Sequence, residues 1–126
     1  MCRHLHGGYE RSPGVLSAYL QANAMDDVKI EVETRTMDEV AVVIALLDDD
    51  EADTSAVSRV MLDNMSLEDM AEAVRMFGGR VETEASGNVT LETVHAIGQT
   101  GVTFVSSGAL THSVMALDIS LNVSTE

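Results

Sequence analysis

RVETEASGNVTLETVHAIGQTGVTFVSSGALT, residues 80–111, decides the fold, because it reads as two successive strand-loop-helix units. Residues 81–85 alternate as a strand and run into Ser86-Gly87-Asn88, after which Thr90 opens a helix. Residues 102–105 form a second strand that runs into Ser106-Ser107-Gly108-Ala109, with a short helix starting near Thr111. Each turn is small, carries a glycine and sits just before a helix. That combination suits a phosphate, which needs close backbone approach, free N–H donors and the positive end of a helix dipole. One such turn says little. Two in tandem, after consecutive parallel strands, point to the phosphate site that α/β barrels build from the loops after their last two strands.

Upstream, the same grammar repeats. VKIEVET, residues 28–34, places Val28, Ile30 and Val32 on one face and Lys29, Glu31 and Glu33 on the other, as a strand does. Thr36 then opens a helix, with Glu39 completing a capping box and Val40, Val43, Ile44 and Leu47 forming its apolar stripe. RVMLDN, residues 59–64, is the next strand; Ser66 and Asp69 cap a helix whose Leu67, Met70, Ala71, Val74 and Phe77 fall at helical spacing. Gly78-Gly79 stops it. Four strands, each followed by a helix or helix start, predict a parallel sheet with right-handed crossovers, half of an eight-fold barrel.

The two ends read differently. Residues 1–13 show no period, and His4 and His6 lack the further ligands a metal site needs, so a loop or ragged start is expected. Val15, Leu16, Tyr19 and Leu20 then share one helical face. Near the other end, Leu117, Ile119, Leu121 and Val123 alternate with Asp118, Ser120, Asn122 and Ser124. This strand has no hairpin partner in the chain and needs a sheet to join, in another subunit or in a part not present. The organisation expected is an irregular start with one helix over 1–27, a half-barrel with phosphate loops over 28–116, and the final strand over 117–126.

Charge narrows the function. Lys+Arg of 7 against Asp+Glu of 21 gives a net charge of -14 in 126 residues, which repels nucleic acid and anionic membranes. Cys2 is the only cysteine, so no internal disulfide forms and a reducing, intracellular compartment is expected. No apolar run approaches membrane-spanning length, and the first residues lack the apolar core of a secretory signal. The run Asp48-Asp49-Asp50-Glu51 lacks the alternating ligands and glycine of a calcium loop and reads as solvated. No Ser-His-Asp triad, zinc cluster or dinucleotide fingerprint is present.

What remains is the polar face of the strands. In a barrel it points inward, and its strand ends line the mouth where chemistry is kept. Glu31, Glu33, Asp63, Glu82 and Glu84 fall on that face. So many carboxylates cannot stay ionised together without cations, such as Mg²⁺ with its own waters, or basic side chains. Lys29 and Arg80 lie at strand beginnings, the wrong end, so the positive charge is expected from a metal and from elsewhere. Glu31 and Asp63 are the preferred catalytic pair, with Asn64, Glu84 and His112 as further candidates; Glu33 and Glu82 read equally well as solvated strand positions. His95 is mid-helix and reads as packing or solvated.

IEVETRTMDEV, VMLDNMSLEDMAEAV, VETEASGNVTLETVHAIGQTGV and SSGALTHSVMALDISL, in this order across about residues 28–123, resemble the C-terminal half of quinolinate phosphoribosyltransferase, also called carboxylating nicotinate-nucleotide pyrophosphorylase. The wording is most similar to the plant and algal branch. The resemblance implies an α/β barrel whose last strand returns to an N-terminal sandwich. It implies phosphoribosyl transfer from phosphoribosyl pyrophosphate to quinolinate with decarboxylation, using Mg²⁺, on the route to NAD, in a homodimer or higher oligomer in the cytoplasm or a plastid. By motif, Glu31 and Asp63 would hold the ribose and, through the bound substrate, the metal; Ser86, Gly87, Asn88, Ser107, Gly108 and Ala109 would bind the phosphate.

The departures are informative too. The family's quinolinate pocket draws on arginines, a histidine and a lysine earlier in the chain, including a K-D-N-H motif; Gly7-Gly8 resemble the glycines after it, but MCRHLH does not match it. The expectation is an incomplete copy that keeps the phosphoribosyl side and does not turn over alone. Two alternatives stay open: a non-catalytic half-barrel that binds or assembles with a partner, and another phosphosugar-binding barrel enzyme.

Overall fold

A computed structural model describes residues 3–5, 12–25 and 27–112. Five strands, β1 (Arg3–Leu5), β2 (Ile30–Thr34), β3 (Val57–Asp63), β4 (Glu82–Ser86) and β5 (Phe104–Val105), form one sheet in the order β1-β2-β3-β4-β5. Every neighbouring pair is parallel. Helices α1 (Ser12–Ala22), α2 (Met37–Leu47), α3 (Leu67–Phe77), α4 (Val94–Gln99) and α5 (Ala109–His112) alternate with the strands. A parallel crossover is right-handed, so an order that never reverses lays successive helices on one face, as in a barrel wall and unlike a doubly wound sheet.

The core sits between that face and the helices. Ile30, Val32, Val60, Leu62 and Ala85 from the strands are buried against Leu20 of α1, Val40 and Val43 of α2, Met70, Ala73 and Phe77 of α3, and Ile97 of α4. Strand alternation makes this possible: every second residue is apolar, and those between are turned to the other side.

Local chemistry fixes the helix ends. The Thr36 hydroxyl accepts from the Glu39 N–H at 3.3 Å, and the Glu39 carboxylate accepts from the Arg35 N–H at 2.6 Å, one residue ahead of the cap. The Ser66 hydroxyl accepts from the Asp69 N–H at 3.1 Å and donates to its carboxylate at 2.8 Å. At the far end of α3, Gly78 turns left-handed at φ 59° and its N–H reaches back to Val74, which stops the helix where the glycine pair predicted.

Three details differ from the sequence reading. Arg3–Leu5 is a strand, paired in parallel with Ile30–Val32, although nothing periodic marks it. The helix expected to open at Thr90 begins at Val94, because the Thr90 and Thr93 hydroxyls capture the backbone donors of residues 90, 92 and 93 in a turn. The last strand of the described region shrinks to Phe104–Val105. The alternating segment 117–123 lies outside the described residues.

Candidate functional site

The two glycine turns meet. Residues 86–90, following β4, and residues 106–109, following β5, line a single pocket of about 480 Å³ at the C-terminal ends of these adjacent strands. The Ser107 hydroxyl donates to the Val89 carbonyl at 3.1 Å, tying one turn to the other. Gly87 has φ +86°, a left-handed conformation that L side chains rarely adopt. The delayed start of α4 removes one part of the expectation: no helix dipole begins at Asn88, and the turns offer backbone donors and hydroxyls instead.

A third loop closes over the first turn. Asn64, just after β3, donates its N–H to the Ser86 carbonyl at 2.8 Å, and its Oδ1 accepts from Asn88 Nδ2 at 3.0 Å. Asp63 is paired in register with Ser86, which seats the end of β3 beside that turn.

The face away from the helices carries the charges in levels. Glu31, Arg59 and Glu82 are aligned across β2, β3 and β4 at the lower level, and Glu33, Met61, Glu84 and Phe104 at the next. Glu31, Glu33 and Glu84 are buried despite their charge. Arg59 answers for part of this: it donates to Glu84 at 2.7 Å and to Glu82 at 3.1 Å, and its guanidinium lies 3.9 Å from the Phe104 ring centroid. Burial alone would lower the Arg59 pKa, but the bonds to Glu82 and Glu84 and the charges of Glu84 and Glu31 outweigh it and leave it raised.

Nearer the mouth, Arg35 follows β2 and donates to Glu33 Oε1 at 2.7 Å, with Asp63 Oδ2 at 3.4 Å. The hydrogen bond and charge of Glu33, with help from Asp63, raise the Arg35 pKa. Part of the positive charge expected from a metal or from elsewhere is supplied within the chain. Arg35 and Arg59 supply it, and neither was singled out in the sequence.

The two β2 glutamates occupy different levels. Glu31 sits level with Arg59, four residues below Asp63 on β3, or about 13 Å at strand rise. Glu33 is the glutamate brought toward Asp63, through the shared Arg35. Glu84 is held by Arg59 below the pocket. Ser86, Gly87, Asn88, Ser107, Gly108 and Ala109 gather as described, and His112 ends α5 directly after the second turn. His95, on α4, is exposed and 3.3 Å from Gln99. Among the described residues no three His, Cys, Asp or Glu side chains form a metal cage.

The family model for the quinolinate phosphoribosyl transferase C-terminal domain matches residues 15–122. The chain belongs to the quinolinate phosphoribosyltransferase family. It is 51% identical over 129 aligned residues, 95% of this chain, to quinolinate phosphoribosyltransferase [decarboxylating] 1 of Nicotiana glauca. It is 50% identical to the chloroplastic nicotinate-nucleotide pyrophosphorylase [carboxylating] of Arabidopsis thaliana, again over 95% of this chain. Each match spans only 36% of the relative. Among solved structures, the nicotinate-nucleotide pyrophosphorylase of Francisella tularensis superposes with a TM-score of 0.63 at 35% identity, covering 93% of this chain and 38% of that one. A quinolinate phosphoribosyltransferase barrel therefore accounts for the sheet order, and this chain spans about a third of its relatives' length. No helix of the described residues is long and apolar enough to cross a membrane.

Proposed function

We propose that this chain supplies the phosphoribosyl side of a reaction in which phosphoribosyl pyrophosphate and quinolinate give nicotinate mononucleotide, pyrophosphate and carbon dioxide, in NAD biosynthesis. The observation that carries the reading is the single pocket lined by both glycine turns, with Asp63 seated beside the first of them. In this reading the turn N–H groups and the Ser86 and Ser107 hydroxyls hold the ester phosphate. Glu33 and Asp63 face the ribose, where carboxylates stabilise the oxocarbenium-like centre that forms as pyrophosphate leaves. Mg²⁺ would supply charge to neutralise the leaving pyrophosphate, and Asp63 is the side chain that would help to hold it.

Arg35 and Arg59, the basic side chains beside the carboxylates of the mouth, are both engaged by them. Quinolinate, a dicarboxylate, therefore finds little to bind it in the described region, and its recognition is assigned to sequence that the relatives carry over the rest of their length. A homodimer or larger assembly, and a plastid or mitochondrial setting like that in the names of the relatives, belong to the same proposal.

Calorimetric titration with phosphoribosyl pyrophosphate and Mg²⁺ tests it. Saturable binding that inorganic phosphate displaces, with no binding of quinolinate alone, supports the reading. A folded chain that binds neither phosphoribosyl pyrophosphate nor phosphate defeats it.

A further inference from the structure

Among the described residues, three non-glycine positions have positive φ, and two of them, Asn64 at 56° and Asn88 at 51°, meet at the same spot. Gly87, at φ +86°, lies between them in space, and a Cβ built on it would run into the Asn64 carboxamide. Asn64 Oδ1 accepts from Asn88 Nδ2 at 3.0 Å, while the Asn64 N–H donates to Ser86 O at 2.8 Å. The Asn64 side chain is exposed rather than part of the core, so it does not serve apolar packing. Left-handed backbone is uncommon for residues with a Cβ, and Asn tolerates it best. Three consecutive residues of the turn, 86–88, thus each meet Asn64.

We propose that Asn64 is a positioning residue for the phosphate turn: its carboxamide lies on Gly87 and holds the Asn88 side chain, fixing the direction in which the N–H groups of residues 87–89 point. The inference rests on the phosphate reading of that turn and adds the device that shapes it. It also accounts for glycine at 87, since the space a side chain would take is occupied by Asn64.

The experiment uses inorganic phosphate as the probe, titrated into ¹⁵N-labelled chain and followed at the Gly87 and Gly108 amide resonances. Asn64→Gly keeps the left-handed backbone accessible and removes only the carboxamide. It should shift the Gly87 resonance before any phosphate is added, leave Gly108 in place, and weaken phosphate by about tenfold, the size expected for losing one hydrogen-bonded support. Asn88→Gly should have a similar effect, and the double variant should be little worse than either, because the two side chains act through one contact. A wild-type chain that binds phosphate while Asn64→Gly binds it equally well, or fully additive effects of the two variants, overturns the positioning role. A wild-type chain that binds no phosphate sinks the site itself and the proposal with it.

Discussion

Arg59 donates to Glu84 across the β3–β4 pair at 2.7 Å, on the face of the sheet that the helices leave bare. The two residues are not level with each other: Arg59 is opposite Glu82, and Met61 is opposite Glu84, so the guanidinium reaches diagonally upward. Glu84 is 8% exposed, which makes Arg59 the support of a nearly buried charge. Replacing Arg59 with Met keeps an unbranched apolar stem and removes that support. The expected loss is about 3 kcal/mol, the lower end for stranding a buried ion, since Arg59 itself keeps some solvent. Urea unfolding checks it, and Arg59→Met combined with Glu84→Gln should recover part of the loss. A change below about 0.5 kcal/mol, the scale of ordinary surface substitutions, would show that the pair does not hold the sheet.

The glutamates of β2 should separate by role. Glu33→Gln should weaken phosphoribosyl pyrophosphate with Mg²⁺ by about tenfold or more, as expected for losing a charge-assisted contact at the mouth. Glu31→Gln, level with Arg59, should alter stability and leave that affinity within about twofold. Isothermal titration of both variants decides between them. The opposite ranking would favour Glu31, the position that the sequence suggests.

Ser66 caps α3 through the Asp69 N–H at 3.1 Å. Ser66→Ala should cost about 1 kcal/mol, and Ser66→Gly a few tenths, because glycine leaves the first N–H groups open to water. Denaturation midpoints at constant slope would show this directly. Equal losses for both substitutions would mean that the hydroxyl is not what starts the helix.

Glu92 gives a pH-dependent handle on the first turn. Its carboxyl pKa is lowered by a hydrogen bond from Thr90 and by its own backbone N–H. A lowered folded-state pKa means the stabilisation is complete above the ordinary glutamate value, about 4.3, and is lost as pH falls through the lowered value. The turn at residues 90–93 should therefore loosen in acid before the sheet does, seen as faster amide exchange at Thr93. Glu92→Gln should abolish that pH dependence, and an unchanged acid response in the variant would rule the carboxylate out.

Much of this architecture is legible because it is local. Thr36, Ser66 and Gly78 act within one helical turn, and the alternation of Ile30, Val32, Val60 and Leu62 names the core face without any partner in view. Arg59 is different. Its importance depends on which residues the neighbouring strand places opposite, and register between strands is not written in either strand alone. Inter-strand register also decides that Glu31 lies level with Arg59 while Glu33 lies one level nearer Asp63. Arg3–Leu5 is too short to show a period and becomes a strand only because β2 offers it an edge. The late start of α4 was hidden because threonine hydroxyls at 90 and 93 compete with the helix for the same backbone donors.

The unbroken strand order has a kinetic meaning. Each strand pairs with the one made just before it, so no pairing waits for a distant segment, and the entropy of closing each loop stays small. A ribosome-bound chain can lay down this wall one stave at a time, each new stave finding a finished neighbour already in place.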